Sequence, residues 1–302
     1  MTGLQKDSSR AQVVRRSNGV LSPFRSVFLL LILLFVSIGA DAQRIVSLMP
    51  SATYALEQIG AGRYVVGRTS YCPDGSEYGS VVVGDALTVS VETIVALRPT
   101  VVIASVFTKT STIERLRSLG ISVEQLATPK DFDDLCSQTI QLAKLVKMEK
   151  EATRHVGRER KKVEAISASC FWNPAPAYVQ VGAKPIWGAT PDYYIEDILN
   201  KLKLYNVIGE GEGGVSREEV LSRSPEYIIV SSMGGLGKDE RLTWQRLSQA
   251  NVLLIEEETL NSATPTFFRV AMEKIATLVL NAESAKSNQS PATDAVTGAT
   301  SF

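Results

Sequence analysis

The chain has 302 residues, 44% of them hydrophobic and 21% charged, with 32 basic side chains against 32 acidic ones. That balance excludes wholesale disorder and supplies no basic surface for a phosphate backbone, so no nucleic acid is expected as a partner. One histidine, His155, and three scattered cysteines, Cys72, Cys136 and Cys170, are too few for a transition-metal centre or a disulfide framework. Cys136 and Cys170 read as small buried hydrophobes. Cys72, beside Pro73 and Gly75, is expected to be exposed.

At the amino end, Arg25 precedes an apolar run from Val27 to Ile38, followed by Gly39, Ala40, Asp41 and Ala42. Charged region, hydrophobic region and small-x-small site predict a leader, residues 1–42 with a polar extension, cleaved near Ala42 before Gln43. The run is shorter than the ~20 residues that span a bilayer, although a retained anchor stays the alternative. Cleavage removes Lys6, Arg10, Arg15, Arg16 and Arg25 with Asp7 and Asp41, leaving 27 basic residues against 30 acidic, a net charge of −3. A periplasmic, monomeric protein is expected.

Beyond Gln43, short β-branched runs alternate with helical patterns: strand Arg44 to Leu48, helix Ala52 to Ile59, strand Tyr64 to Gly67, helix Val91 to Ala96, strand Val101 to Ser105, helix Ile113 to Leu119. Such alternation predicts an α/β fold whose nearly continuous apolar strands form a mostly parallel sheet. Residues 132–169 show no strand signal and read as two helices breaking near Lys147. His155 is expected there as a solvated or packing side chain, not a ligand. The pattern then repeats: strand Ala177 to Val181, helices Asp192 to Leu204 and Arg217 to Leu221, strands Tyr227 to Ser231 and Val252 to Ile255, helix Phe267 to Leu280. The expected organisation is two Rossmann-like lobes, residues 43–147 and 170–281, joined by a backbone helix over 148–169 that restrains their relative motion. A flexible tail over 282–302 is expected to follow.

Three stretches, RIVSLMPSATYALEQIGAG at 44–62, VETIVALRPTVVIAS at 91–105 and VSREEVLSRSPEYIIVSS at 215–232, resemble the helical-backbone class of periplasmic substrate-binding proteins of ABC importers. The resemblance is to the cobalamin-binding and ferric-siderophore or haem-binding branches. It implies a shallow cleft between the lobes, transport of a ligand without catalysis, and an ABC permease dimer as partner. It also implies that one acidic side chain on each lobe docks to permease arginines, which by motif position are Glu92 and Glu218. Both open a helix, where the dipole favours an exposed carboxylate.

In open α/β sheets, ligands sit at the carboxyl ends of the strands. That rule makes Pro50, Ser51, Tyr71, Cys72, Asp85, Phe107 and Thr108 candidates in the first lobe. Trp187, Met233, Gly234, Thr264 and Phe267 are candidates in the second, and Arg269 is the one cation that could reach an anionic group. Aromatic side chains with few charges suit a large, flat, partly apolar ligand. The histidine-rich metal branch and the arginine-rich siderophore sites of the family are both unlike this chain. By elimination cobalamin or a related corrinoid is expected, with a ferric siderophore or haem as the alternative. Trp172 and Trp187 are both expected near the cleft.

After Leu280 the composition turns to Ser, Asn, Gln, Thr, Ala and Gly, ending in Asp294, Ala295, Val296, Thr297, Gly298, Ala299 and Thr300. This segment resembles the recognition motif of an exported flavin transferase that links FMN through a phosphoester to the last threonine. The resemblance implies covalent FMN on Thr300 and, with it, a redox alternative to plain binding.

Overall fold

The computed structural model describes residues 43–85, 88–232 and 237–289. The leader, Met233, Gly234 and the flavinylation-like motif lie outside them. The first lobe is built on β1 (Ile45–Ser47), β2 (Val65–Thr69), β3 (Val81–Gly84), β4 (Val101–Ser105) and β5 (Val123–Leu126), all parallel, in the order β3-β2-β1-β4-β5. The second is built on β6 (Ala175–Ala183), β7 (Ile186–Gly188), β8 (Leu204–Asn206), β9 (Tyr227–Ser231) and β10 (Asn251–Ile255). Its order is β10-β9-β6, with β7 and β8 sharing the far edge of β6 and β7 running antiparallel. Val101 to Ala104 of β4 and Tyr227 to Val230 of β9 are buried, as strands covered on both faces must be.

Helices cover each sheet on two sides. In the first lobe α1 (Pro50–Gln58) packs Ala52 and Leu56 onto Ile45 and Ile103. On the opposite face α2 (Val91–Ala96) and α3 (Thr110–Ser118) bring Ile94, Ile113 and Leu116 against Val46 and Val102. Two helices, α4 (Phe132–Leu145) and α5 (Glu149–Ala168), serve both lobes. Leu142 and Ala143 of α4 and Ala152 of α5 lie in the first core, whereas Phe132, Leu135, Val156 and Val163 lie in the second. The expected break falls at Lys147, which takes φ of 57° between them. The first half of α4 therefore packs with the second lobe, although it precedes residue 148 in the chain.

The second sheet packs its Ala177, Val179 and Ile229 face on α5, α6 (Tyr194–Lys201) and α10 (Pro265–Gln289). Its other face meets α7 (Arg217–Ser222) and α8 (Gly237–Leu247). Helix α6 stops well before Leu204, because Lys203 turns at φ 55° and residues 204–206 pair as β8 with β6. Helix α10 continues to Gln289, past the expected start of a flexible tail. Ala282 packs on the second core, and Lys286 bridges Glu226 and Glu283.

Residues 90–105 and 216–231 correspond element for element. Ser90 and Ser216 each cap a six-residue helix by accepting an amide hydrogen bond at 3.1 Å, from Thr93 and Glu219. Each helix ends at a left-handed residue before proline, Arg98 at φ 46° and Ser224 at φ 49°, and leads into a central strand.

Candidate functional site

Since the strands of the first sheet all point one way, their carboxyl ends make a single edge. Pro50 and Ser51 open α1 there, with proline at a position whose N–H would be unsatisfied anyway. Tyr71 follows β2 and Phe107 follows β4, and they are 62% and 76% exposed. The Phe107 turn is set by Ser105, whose hydroxyl accepts the Phe107 amide hydrogen bond at 3.1 Å. Asp85 follows β3 and accepts the Thr88 amide at 2.7 Å, so its carboxylate holds its own turn. Cys72 is buried, not exposed: after Tyr71 the chain turns inward, and the thiol lies 3.2 Å from the Thr69 hydroxyl and 3.7 Å from the Ser47 carbonyl. All three cysteines are buried and free.

In the second lobe Trp187 stands opposite Gly182 at the carboxyl end of β6, half exposed. Its indole rests on Gly213 and Gly214; a Cβ at Gly213 would come within 2.4 Å of the ring. Trp172 lies at the other end of the sheet, before β6, where its indole nitrogen donates to the Leu202 carbonyl at 2.7 Å and the side chain is buried. It therefore does not join the site.

The lobes meet at the first turn of α10. Phe267 packs edge-on against Tyr54 of α1, with ring centroids 4.9 Å apart, and Thr264 accepts the Phe267 amide. Thr266 is 3.0 Å from His155 Nε2 on α5. Burial holds the His155 imidazole below its ordinary pKa, so it is a packing residue as expected. Arg269 is not available to a ligand: its guanidinium donates to Glu159 of α5 and to Glu273 on its own helix. Tyr54 has its hydroxyl pKa raised by burial and then by Glu258 and Glu57, which belong to opposite lobes.

Beside this junction the second lobe holds a cavity of about 240 Å³ lined by Val181, Trp187, Tyr193, Ile195, Leu260 and Asn261. It lies between the end of β6, the start of α6 and the end of α9 (Glu257–Asn261). Tyr54, Tyr193, Leu260 and Asn261 were not among the residues expected from the sequence. Tyr54 had a signal, since it follows Pro50 by one helical turn; the others come together only when α6 and α9 converge. Glu92 and Glu218 are both exposed at the second positions of α2 and α7. Among the described residues no group of His, Cys, Asp and Glu could hold a metal ion, and no helix is long and apolar enough to cross a membrane.

Two α/β lobes sharing a pair of helices, with aromatic side chains along their carboxyl edges, define a two-lobed ligand-binding protein. Residues 45–252 match the periplasmic binding protein family, and the chain belongs to it. It is 23% identical over 256 residues to a vitamin B12-binding protein of Yersinia pseudotuberculosis, covering 82% of this chain and 91% of that one. The crystal structure of a periplasmic vitamin B12 binding protein of Vibrio cholerae matches with a TM-score of 0.68 at 23% identity, over 80% of this chain and 98% of that one. A periplasmic heme binding protein of the same organism matches with a TM-score of 0.69 at 20% identity, over 79% and 99%.

Proposed function

We propose that this protein is an exported, periplasmic binding protein that delivers cobalamin or a related corrinoid to an ABC importer. The observation that carries the reading is the aromatic lining of the strand ends: Tyr71 and Phe107 stand exposed on the first lobe, and half-exposed Trp187 stands on the second beside a cavity walled by Tyr193, Ile195 and Leu260. A large flat macrocycle suits such surfaces, and with Arg269 spent on Glu159 and Glu273 the junction offers that cation to no haem propionate or catecholate. Aromatic stacking supplies the affinity. Glu92 and Glu218, matched in position on the two lobes, dock the loaded protein on a permease dimer. Calorimetric titration tests the ligand: cobalamin binding at micromolar Kd or tighter, about −8 kcal/mol, is expected. Heat with haem or a ferric siderophore and none with cobalamin or cobinamide would move the reading to those ligands.

The run from Asp294 to Thr300 favours a second property, covalent FMN on Thr300 in a host that has the flavin transferase, with Asp294, Thr297, Gly298 and Ala299 as its recognition residues. The Thr300 hydroxyl attacks a pyrophosphate-linked flavin, forming the phosphoester and releasing the nucleotide half. Intact mass of the exported protein should rise by about 438 Da, and Thr300→Ala should abolish the increment. A bare mass from such a host would leave a binding protein without a redox group.

A further inference from the structure

We infer that the FMN carried by Thr300 docks on a shelf formed by Phe171, Lys203 and Tyr205 at the amino edge of the second sheet, on the side of that lobe opposite the cleft. The inference rests on the flavin reading above. Phe171 and Tyr205 are 76% and 51% exposed. Both stand at the amino edge. Phe171 precedes β6 and packs its ring 5.9 Å from that of Trp172, whose indole nitrogen is fixed to the Leu202 carbonyl, and Tyr205 lies in register with Pro176 of β6. Lys203, two residues before Tyr205, is exposed, and its ammonium acts on the thiol of Cys170, the chain neighbour of Phe171.

Helix α10 brings the chain to this same edge. Lys286 pairs with Glu226, the residue before β9, and the Glu226 amide donates to the Pro176 carbonyl at 2.9 Å. Tyr205 flanks Pro176 on its other side, so two strand spacings, about 10 Å, separate Glu226 from Tyr205. Eleven residues lead from Gln289 to Thr300, enough to span at most about 40 Å. The lobe junction at Phe267 lies 22 residues, about 33 Å, back along α10. A flavin on Thr300 would reach the cleft only with those eleven residues stretched almost to their limit, at a cost in chain entropy, whereas the shelf lies within easy reach. The chemistry matches as well. The isoalloxazine is a flat, electron-poor ring system that stacks on Phe and Tyr, and its phosphoester link keeps one negative charge for Lys203 to meet. Docked there, the flavin is held apart from a macrocycle in the cleft.

The test uses the exported, flavinylated protein, whose intact mass reports the flavin. Tyrosine in contact with a flavin quenches its emission, so wild type should be dim, with the high anisotropy of a ring that tumbles with the protein. Phe171→Ala combined with Tyr205→Ala removes two aromatic contacts, each worth about 2- to 10-fold in the ratio of docked to free flavin. That variant should brighten the emission severalfold and lower its anisotropy. Lys203→Gln should do the same to a smaller degree, and added salt should brighten wild type more than Lys203→Gln. All three side chains are exposed, and a thermal melt reports whether each variant is folded. Emission and anisotropy unchanged in both folded variants overturn the shelf while the flavin stays. Brightening caused instead by Tyr71→Ala with Phe107→Ala places the flavin in the cleft and also overturns the shelf. A bare intact mass overturns the flavin reading and the shelf with it.

Discussion

Tyr71 and Phe107 are large apolar side chains exposed to water just after β2 and β4, where the proposed stacking ligand would cover them. Replacing Tyr71 by Ala should weaken cobalamin binding about 2- to 10-fold, the worth of one aromatic contact of about 0.5–1.5 kcal/mol, with an unchanged melting temperature. Unaltered affinity would remove Tyr71 from the site. His155 makes a different prediction, because burial depresses its pKa below the ordinary 6.5. The unfolded chain then binds a proton that the folded chain resists, so His155 weakens the fold as pH falls below about 6.5 toward its folded pKa, and has no such effect above. Glu159, Arg158, Lys162 and Arg269 face it, and Glu159 alone opposes the shift. Melting temperature measured from pH 7.5 down to 5.5 should drop more steeply in wild type than in His155→Gln; parallel curves would show another group responsible.

Among elements, the first turn of α10 ties three helices to the second lobe: Thr266 to Arg269 reach α5, α1 and α4 in four consecutive residues, with Phe267 on Tyr54 making the contact to the first lobe. Glu159→Ala leaves the Arg269 guanidinium largely buried with only the more exposed Glu273, and should destabilise by about 3 kcal/mol in urea denaturation. The two short helices that carry Glu92 and Glu218 depend on their serine caps. Ser90→Ala and Ser216→Ala should each cost about 1 kcal/mol, since each leaves a helix-start amide without its partner. Much of this level was legible in the sequence. The Lys147 break, the backbone helix and the helix starts at Glu92 and Glu218 follow from local pattern, because helix-start charges and periodicity act within a turn or two. The end of α6, the length of α10 and the burial of Cys72 were not, since β8 pairing with β6, packing of Ala282 and the inward turn after Tyr71 are decided by partners distant in sequence.

For the whole molecule, α4 and α5 enter both cores, so lobe closure would have to bend a shared helix pair. Small-angle scattering curves with and without cobalamin should superimpose; a clear contraction would show a hinge. Cobalamin at a hundredfold excess over Kd should stabilise the fold by about 2.7 kcal/mol, visible as a rise in melting temperature. In a strain dependent on this importer, Glu92→Ala with Glu218→Ala should abolish uptake while titration shows intact ligand affinity; lost ligand binding by the folded protein would place those carboxylates in the cleft. Sequence alone determined the α/β class, the two-lobe repeat and the positions of Tyr71 and Phe107 after their strands, because period, capping and strand polarity are local properties; Trp187 instead lies within β7, an antiparallel strand no local pattern announced. Only the tertiary structure decided that Arg269 is consumed by Glu159, that Trp172 sits at the wrong end of its sheet, and that Tyr54 meets Phe267 across the lobes. Those outcomes depend on which side chains two separately encoded lobes bring face to face, and no local pattern carries that.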